Sequence, residues 1–280
     1  MTRPARRTLA VLLAHPAGHS LSPAMHDAAF EALGMDGRYV AWDVPPDALA
    51  DAVARLRAGA DLLGANVTVP HKEAVVAHLD ELTPEARRLG AVNTIVRRGG
   101  RLLGHNTDAI GLAAALAGLP TPPGPGRALV LGAGGAARAA LAVLRDAGAN
   151  VAVFNRTHAR AERLAAEWRS QGDVRAVAAE ALADAVAGAD WLVNTTSVGM
   201  HGGPPGSPLP EGVLPRAGAV VDLVYRPRPT PLLRAAAAAG LVTHDGLEML
   251  LQQGAAAFEA WTGQRPPLGS MREALESALR

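Results

Sequence analysis

The chain has no cysteine among its 280 residues, which excludes disulfides, thiolate metal sites and cysteine nucleophiles. Lysine is nearly absent as well: 26 of the 27 basic residues are arginine, and Lys72 stands alone. Excess charge is missing, since 27 basic residues face 26 acidic ones for a net +1, so nothing suggests a nucleic-acid or anionic-membrane surface. No apolar run approaches the roughly 20 residues of a membrane span. Glycine and proline number 30 and 21, about 18% of the chain and below the level of low-complexity sequences, so a globular protein is expected. The start, MTRPARRTLAVLLAHPAG, sets basic residues before an apolar run as a secretion signal does. Thr8 to Ala14 is short, however, and His15-Pro16 interrupts it, so a first β-strand and a cytoplasmic location are expected. No metal is expected: His15, His19 and His26 flank a loop and a helix without carboxylate partners. Ser20 and Ser22 lack the context of a nucleophile elbow.

What is present is organised around residues 127–160. An apolar run, Ala128 to Leu131, stops at Gly132-Ala133-Gly134-Gly135 and gives way to a small-residue helical segment ending near Gly148; a second apolar run, Val151 to Phe154, follows. This is the β-α-β unit that a dinucleotide needs. Gly132 permits the sharp exit from the strand, Gly134 lets the backbone approach a pyrophosphate, and the helix start near Gly135 points its N–H groups at that anion. The sixth position is Ala137, still small enough for close helix–strand packing. After the second strand come Asn155, Arg156, Thr157 and Arg160, where a site for NAD usually carries Asp or Glu. Two guanidiniums and a hydroxyl suit a 2′-phosphate, so the cofactor is read as NADP(H). Without the preceding glycine turn, the two arginines would read as solvated residues at a helix start.

A nucleotide unit that begins only at residue 127 implies two domains. Ahead of it, a strand over 8–14 leads into a loop and a helix from Pro23 to about Leu33, with Ser22 as N-cap, so Ser20 and Ser22 sit at a helix N-terminus where a small carboxylate binds readily. The plain alternative gives Ser22 only its capping role. Through Asn66, Val67, Thr68 and Val69 the alternation puts Asn66 and Thr68 on one strand face, Pro70 ends the strand, and Lys72 opens a helix that includes Val75, Val76 and Leu79. The only lysine thus stands at a strand end, where open α/β sheets bind ligands. An ammonium can give up its proton, which a guanidinium cannot, so a lysine kept among arginines marks a candidate acid/base group; chance survival is the competing reading. A hairpin covers 90–108, Asp108 starts a helix to Leu119, where a plain N-cap is its rival role, and 120–126 form a Pro/Gly linker. A further strand runs from Trp191 into Asn194-Thr195-Thr196, another from Ala219 to Val224 reaches Tyr225, and a helical region from Leu247 carries Gln252 and Gln253.

Nine motifs taken in order resemble the shikimate dehydrogenase family across nearly the whole chain: HPAGHSLSPAMH at 15–26, ANVTVPHK at 65–72, GAVNT at 90–94, GHNTDAIG at 104–111, GAGGAAR at 132–138, NRTHAR at 155–160, NTTSVGM at 194–200, VDLVY at 221–225 and DGLEMLLQQG at 245–254. The resemblance implies two α/β domains with a cleft between them. Residues 1–108, completed by C-terminal helices over 247–280, would form the substrate and catalytic domain, and 109–246 a Rossmann NADP-binding domain. It implies Lys72 and Asp108 as the catalytic pair, with Ser20, Ser22, Thr68, Asn93, Tyr225 and Gln253 also holding substrate and Asn66 nearby. Gly132, Ala133, Gly134, Gly135, Ala136, Asn155, Arg156, Thr157, Arg160, Leu223 and Gly246 would line the NADP site. His71 and His105 stand where relatives vary, and Leu223 where methionine is frequent.

The implied reaction is reversible NADPH-dependent reduction of 3-dehydroshikimate to shikimate in chorismate and aromatic amino acid biosynthesis. The expected partner is this small molecule, with no nucleic acid or membrane, and the chain is expected as a monomer or homodimer. The alternatives are a quinate/shikimate dehydrogenase of broader specificity, against which Arg156 speaks, and an NADP(H)-sensing protein without turnover, which would have no reason to keep Lys72 and Asp108 beside a carboxylate-binding loop.

Overall fold

The computed structural model describes residues 7–120 and 122–280, with the side chains of Thr8 and Ser170 left aside. The basic stretch before Arg7 and Thr121 of the expected linker lie outside the described residues. Two compact units emerge: one runs to Gly111 and resumes at Leu250–Arg280, and the other is Leu112–Met249. The divisions fall three residues past 108 and 246, because the chain passes between units inside helices rather than at their ends.

The first unit contains β1 (Arg7–Ala14), α1 (Ser22–Ala32), β2 (Gly37–Asp43), α2 (Leu49–Ala58), β3 (Gly64–Val67), β4 (Glu81–Leu82), α3 (Pro84–Leu89), β5 (Thr94–Arg98), β6 (Arg101–His105) and the start of α4 (Asp108–Ala117). Its sheet has the order β2-β1-β3-β5-β6-β4. β1 lies parallel to β2 and β3, while β5 runs antiparallel to both β3 and β6. A strand paired on both edges and covered on both faces reads as unbroken apolar sequence, and Ala10 to Ala14 are accordingly all buried.

Three local expectations change. Leu21, not Ser22, is the N-cap of α1; Ser22 is its first residue, and its N–H is taken by the Ser20 hydroxyl at 3.2 Å. β3 ends at Val67, so Thr68 lies just beyond it. Lys72 does not open an α-helix but sits in a turn before a 3-10 helix, Ala74–His78. The Lys72 carbonyl accepts the Val92 N–H at 2.8 Å, a tertiary partner that replaces the i+4 donor of a regular helix.

The second unit contains β7 (Arg127–Leu131), α5 (Gly135–Asp146), β8 (Asn150–Phe154), α6 (His158–Trp168), β9 (Val174–Val177), α7 (Leu182–Ala187), β10 (Trp191–Asn194), β11 (Ala219–Asp222), α8 (Pro231–Ala238), β12 (Val242–Asp245) and the start of α9 (Leu247–Thr262). All neighbours are parallel in the order β12-β11-β10-β7-β8-β9. This is the doubly wound dinucleotide-binding arrangement, with its topological switch point between β7 and β10. β9 was not foreseen: Val174–Val177 is four residues long with arginine second, too little pattern for a strand to register.

The rest of α9 and α10 (Leu268–Ala278) return to the first unit, where α10 packs along α1. A Cβ on Gly254 would lie 2.1 Å from Met25 Cε, so α9 runs close against the α1 side chains at this point. Trp261 Nε1 donates to the Ile95 carbonyl at 2.9 Å. Between these elements lies His26, wholly buried, stacked on Tyr39 at 4.6 Å and flanked by Phe258 and Trp261. Burial lowers its pKa to about 3, opposed by the neighbouring Asn66 side chain.

That depression has a consequence for stability. Below the unfolded-state value of 6.5 the unfolded chain takes up a proton that the native ring refuses until about pH 3, so stability falls on acidification through that window. Between pH 7 and pH 5 the expected loss from this ring is about 2 kcal/mol. Urea unfolding of the wild type and of His26→Phe at both pH values checks this: the stability difference between the two proteins should shift by about that amount, and no shift contradicts it. Among the described residues no helix is long and apolar enough to cross a membrane.

Candidate active site

In the first unit, a turn after β3 and the first residue of α4 place Lys72 and Asp108 in contact, with Nζ donating to Oδ2 at 2.5 Å. The two side chains are 13% and 4% exposed, so an ion pair that is nearly dry keeps one ammonium edge open to a ligand. The pair is held from behind by Asn93. Its Oδ1 accepts the Thr107 N–H at 2.7 Å, and a backbone N–H can only donate, so the amide nitrogen must face the other way. There Nδ2 donates to Asp108 Oδ1 at 2.8 Å, to Thr107 Oγ1 at 2.9 Å and, at a longer 3.3 Å, to Gln253 Oε1 on α9. Asp108 thus presents one oxygen to Asn93 and the other to Lys72. Its own N–H is taken by Asn106 Oδ1 at 3.0 Å and the Thr107 carbonyl accepts the Gly111 N–H at 3.0 Å, so Asp108 is the first residue of α4 and not its N-cap.

A second layer fixes Asn93. Asn66 Nδ2 donates to the Asn93 carbonyl at 3.2 Å and to Thr94 Oγ1 at 3.1 Å, and Asn66 Oδ1 accepts the Tyr39 hydroxyl at 2.9 Å. Thr94 donates to Asn93 Oδ1 at 3.0 Å. Tyr39, Thr94, Asn106 and Thr107 were not among the sequence candidates. Thr94, Asn106 and Thr107 lie inside the GAVNT and GHNTDAIG motifs, whereas nothing in sequence marks Tyr39. Burial raises the Tyr39 hydroxyl pKa well above its usual value, keeping it a donor.

Ser20 and Ser22 lie at the start of α1, Ser22 buried and Ser20 partly so, in a loop whose Ala17 N–H and His15 ring both bond Asp43 Oδ1 at 3.1 Å. The Thr68 N–H bonds the Leu13 carbonyl at 3.0 Å, and His15 N–H bonds Val69 at 3.1 Å. These bonds tie the serine loop and Thr68 to neighbouring strand ends. His71 is buried with Nε2 2.7 Å from the Val44 carbonyl, which anchors the turn that carries Lys72. His105, half-buried, has its pKa lowered by burial and by Arg98, and its carbonyl accepts the Asn93 N–H at 3.1 Å.

In the second unit, Gly132 follows β7 with φ +112, and a Cβ there would lie 2.5 Å from Thr195 Oγ1, just beyond β10. Only glycine turns the chain at this switch point. Ala133 continues the turn, Gly135 and Ala136 open α5, and around Gly134, its N-cap, a Cβ would meet nothing within 4 Å: the backbone faces open space. Neither α5 nor α6 has a side-chain cap at its N-terminus, so their first N–H groups remain available to an anion. Ala137 is fully buried against the sheet. Beyond β8, Asn155 Nδ2 bonds the Thr157 carbonyl at 2.9 Å, while Arg156, Thr157 and Arg160 are exposed around the start of α6. This cradle, with open backbone, two uncapped helix ends and no carboxylate among residues 155–160, fits a dinucleotide with a 2′-phosphate.

Leu223 and Tyr225 follow β11, partly exposed, and Gly246 follows β12. A Cβ on Gly246 would lie 2.0 Å from the Leu223 carbonyl, so glycine lets the two segments touch. Asp222, which closes β11, is fully buried; burial raises its pKa, bonds from Thr230, Val224 and Asn194 pull it down, and Asp245 pushes it up. The sequence carried it only as part of VDLVY.

Comparison with known proteins agrees with this geometry. Residues 12–95 match the model of the shikimate dehydrogenase substrate binding domain, 125–200 that of shikimate / quinate 5-dehydrogenase, and 246–276 that of the shikimate 5′-dehydrogenase C-terminal domain. The chain is 50% identical over 275 residues to shikimate dehydrogenase (NADP(+)) of Symbiobacterium thermophilum, covering 96% of this chain and 93% of the relative. It is also 50% identical over 270 residues to the enzyme of that name from Thermus thermophilus, covering 96% and 97%. A crystal structure of shikimate 5-dehydrogenase from another strain of Thermus thermophilus, in complex with NADP(H) and shikimate, is similar at TM-score 0.84 and 49% identity, over 97% of this chain and 100% of that one.

Proposed function

The chain belongs to the shikimate dehydrogenase family, and from that premise we propose that it interconverts 3-dehydroshikimate and shikimate with NADP(H), a step towards chorismate and the aromatic amino acids. The observation that carries this reading is the nearly dry Lys72–Asp108 contact, with Nζ 2.5 Å from Oδ2 and Asn93 on the other carboxylate oxygen. When bound, NADPH supplies the hydride that reduces the C3 ketone. Lys72 Nζ would deliver the proton to the C3 oxygen, or accept it in the reverse direction, while its charge opposes the negative charge that builds there. Asp108 would accept a hydrogen bond from the adjacent hydroxyl and keep the Lys72 ammonium aimed. Ser20 and Ser22 would hold the ring carboxylate, and Thr68, Asn93, Gln253 and Tyr225 the remaining edge, with Asn66 behind Asn93; this fixes which carbon is presented.

Gly132 to Ala136 would cradle the pyrophosphate, Asn155, Arg156, Thr157 and Arg160 the adenosine 2′-phosphate, and Leu223 and Gly246 would line the rest of the cofactor. A cytoplasmic enzyme acting as a monomer or homodimer, with no nucleic-acid or membrane partner, accords with this reading. Absorbance followed with purified protein and shikimate plus NADP, then with NAD and with quinate, tests it. Turnover should be fastest with the first pair. A preference for quinate with NAD would assign a broader dehydrogenase, and binding without turnover a sensor.

A further inference from the structure

Asp222 has no exposed surface, and an apolar side chain would cost less at the end of a buried strand. Every bond it makes goes to the same segment or to its support. Oδ1 accepts Asn194 Nδ2 at 2.8 Å and the Val224 N–H at 3.1 Å, and Oδ2 accepts the Thr230 hydroxyl at 2.7 Å. Asn194 in turn offers its carbonyl to the Leu223 N–H at 3.0 Å, and Thr230 caps α8 by accepting the Leu233 N–H at 3.2 Å. One carboxylate therefore fixes both ends of residues 223–230. Midway, Arg228 Nε donates to Asp245 Oδ2 at 2.5 Å, while Asp245 Oδ1 accepts the Leu247 N–H at 3.0 Å. The Gly246 N–H reaches the Val224 carbonyl at 3.3 Å. The segment so fastened is the one that carries Leu223 and Tyr225.

We propose that Asp222, assisted by the Arg228–Asp245 pair, is a positioning residue that sets the Tyr225 side chain for substrate and the Leu223 backbone for cofactor. The proposal rests on the reading of Tyr225 as a substrate residue. A carboxylate suits the task because all three of its partners are donors, so one conformation satisfies every bond.

The test is a double-mutant cycle on the full chain, with steady-state kinetics in shikimate and NADP. Asp222→Ala should raise the KM for shikimate about tenfold with kcat within about twofold of wild type. Tyr225→Phe should also raise that KM. In the Tyr225→Phe background Asp222→Ala should add less than about twofold, since a residue that works through the Tyr225 hydroxyl has nothing left to position. An undiminished tenfold effect there overturns the proposal, as does an unchanged KM in Asp222→Ala when Tyr225→Phe raises it. If Tyr225→Phe itself leaves KM unchanged, the assignment of Tyr225 fails and the positioning role falls with it. Should Asp222→Ala not fold, Arg228→Ala takes its place, because that side chain is 44% exposed. It should raise KM about threefold and Arg228→Lys should recover most of that loss; an unchanged KM in Arg228→Ala, or an Arg228→Lys no better than Arg228→Ala, overturns the proposal.

Discussion

Replacing Lys72 by arginine should lower kcat by about 10²–10⁴-fold, the range that a positioned proton donor contributes, while the KM for shikimate stays within about threefold. Arginine keeps a positive charge beside Asp108 and can still donate to its Oδ2, so the pairing that orders the carboxylate survives. What disappears is the exchangeable proton, since a guanidinium does not deprotonate in proteins. The loss therefore belongs to the chemical step. Steady-state kinetics in both directions, with circular dichroism to confirm the fold, measure it. Turnover near that of the wild type would remove the acid/base role from Lys72 and leave the lone lysine a relic of composition.

The second large effect is on cofactor choice. Arg156→Glu should raise the KM for NADPH by about 10²–10³-fold, because it removes a charge-assisted bond worth roughly 1.5–3 kcal/mol and sets a carboxylate against the 2′-phosphate. NADH has no such phosphate, so its KM should change by less than about threefold, and the preference between the two cofactors should collapse. Arg156 is exposed beyond β8 and bears on no core contact, which keeps folding out of the result. Equal losses with both cofactors would place Arg156 on the adenine alone, and no loss would return it to the solvated surface.

How far the sequence could be read depended on whether a feature was local. The turn at Gly132–Gly135 was legible because its cause lies within a few residues: a strand, a φ only glycine adopts and a helix start. Lys72 was legible through scarcity, and Asn66 through alternation. The start of α1 was misjudged because Ser20, two residues earlier, takes the Ser22 N–H. Lys72 was expected to open a helix, but Val92, twenty residues later, claims its carbonyl, and no window of local sequence contains that competitor. The same holds for Asn93. Its motif can be seen in the chain, yet which way its amide points is decided by the Thr107 N–H. Tyr39 acts through Asn66, and Asp222 through Asn194 and Thr230 as well as the nearby Val224 N–H, so pattern alone gave them no distinction.

The chain leaves the first unit at Gly111 and comes back at Leu250, and this imposes an order on biosynthesis. Residues 112–249 are contiguous and can close their own sheet as soon as they have been translated. The first unit's strands all lie within residues 7–105, but their covering does not: Ile95 waits for the Trp261 indole, Phe30 for Phe258, and α1 for α10. Apolar surface on the nascent amino-terminal portion stays uncovered until the rest of α9 and α10, residues 250–278, have been made. A stall or truncation before that point should yield a sound nucleotide-binding fold tethered to an aggregation-prone partner.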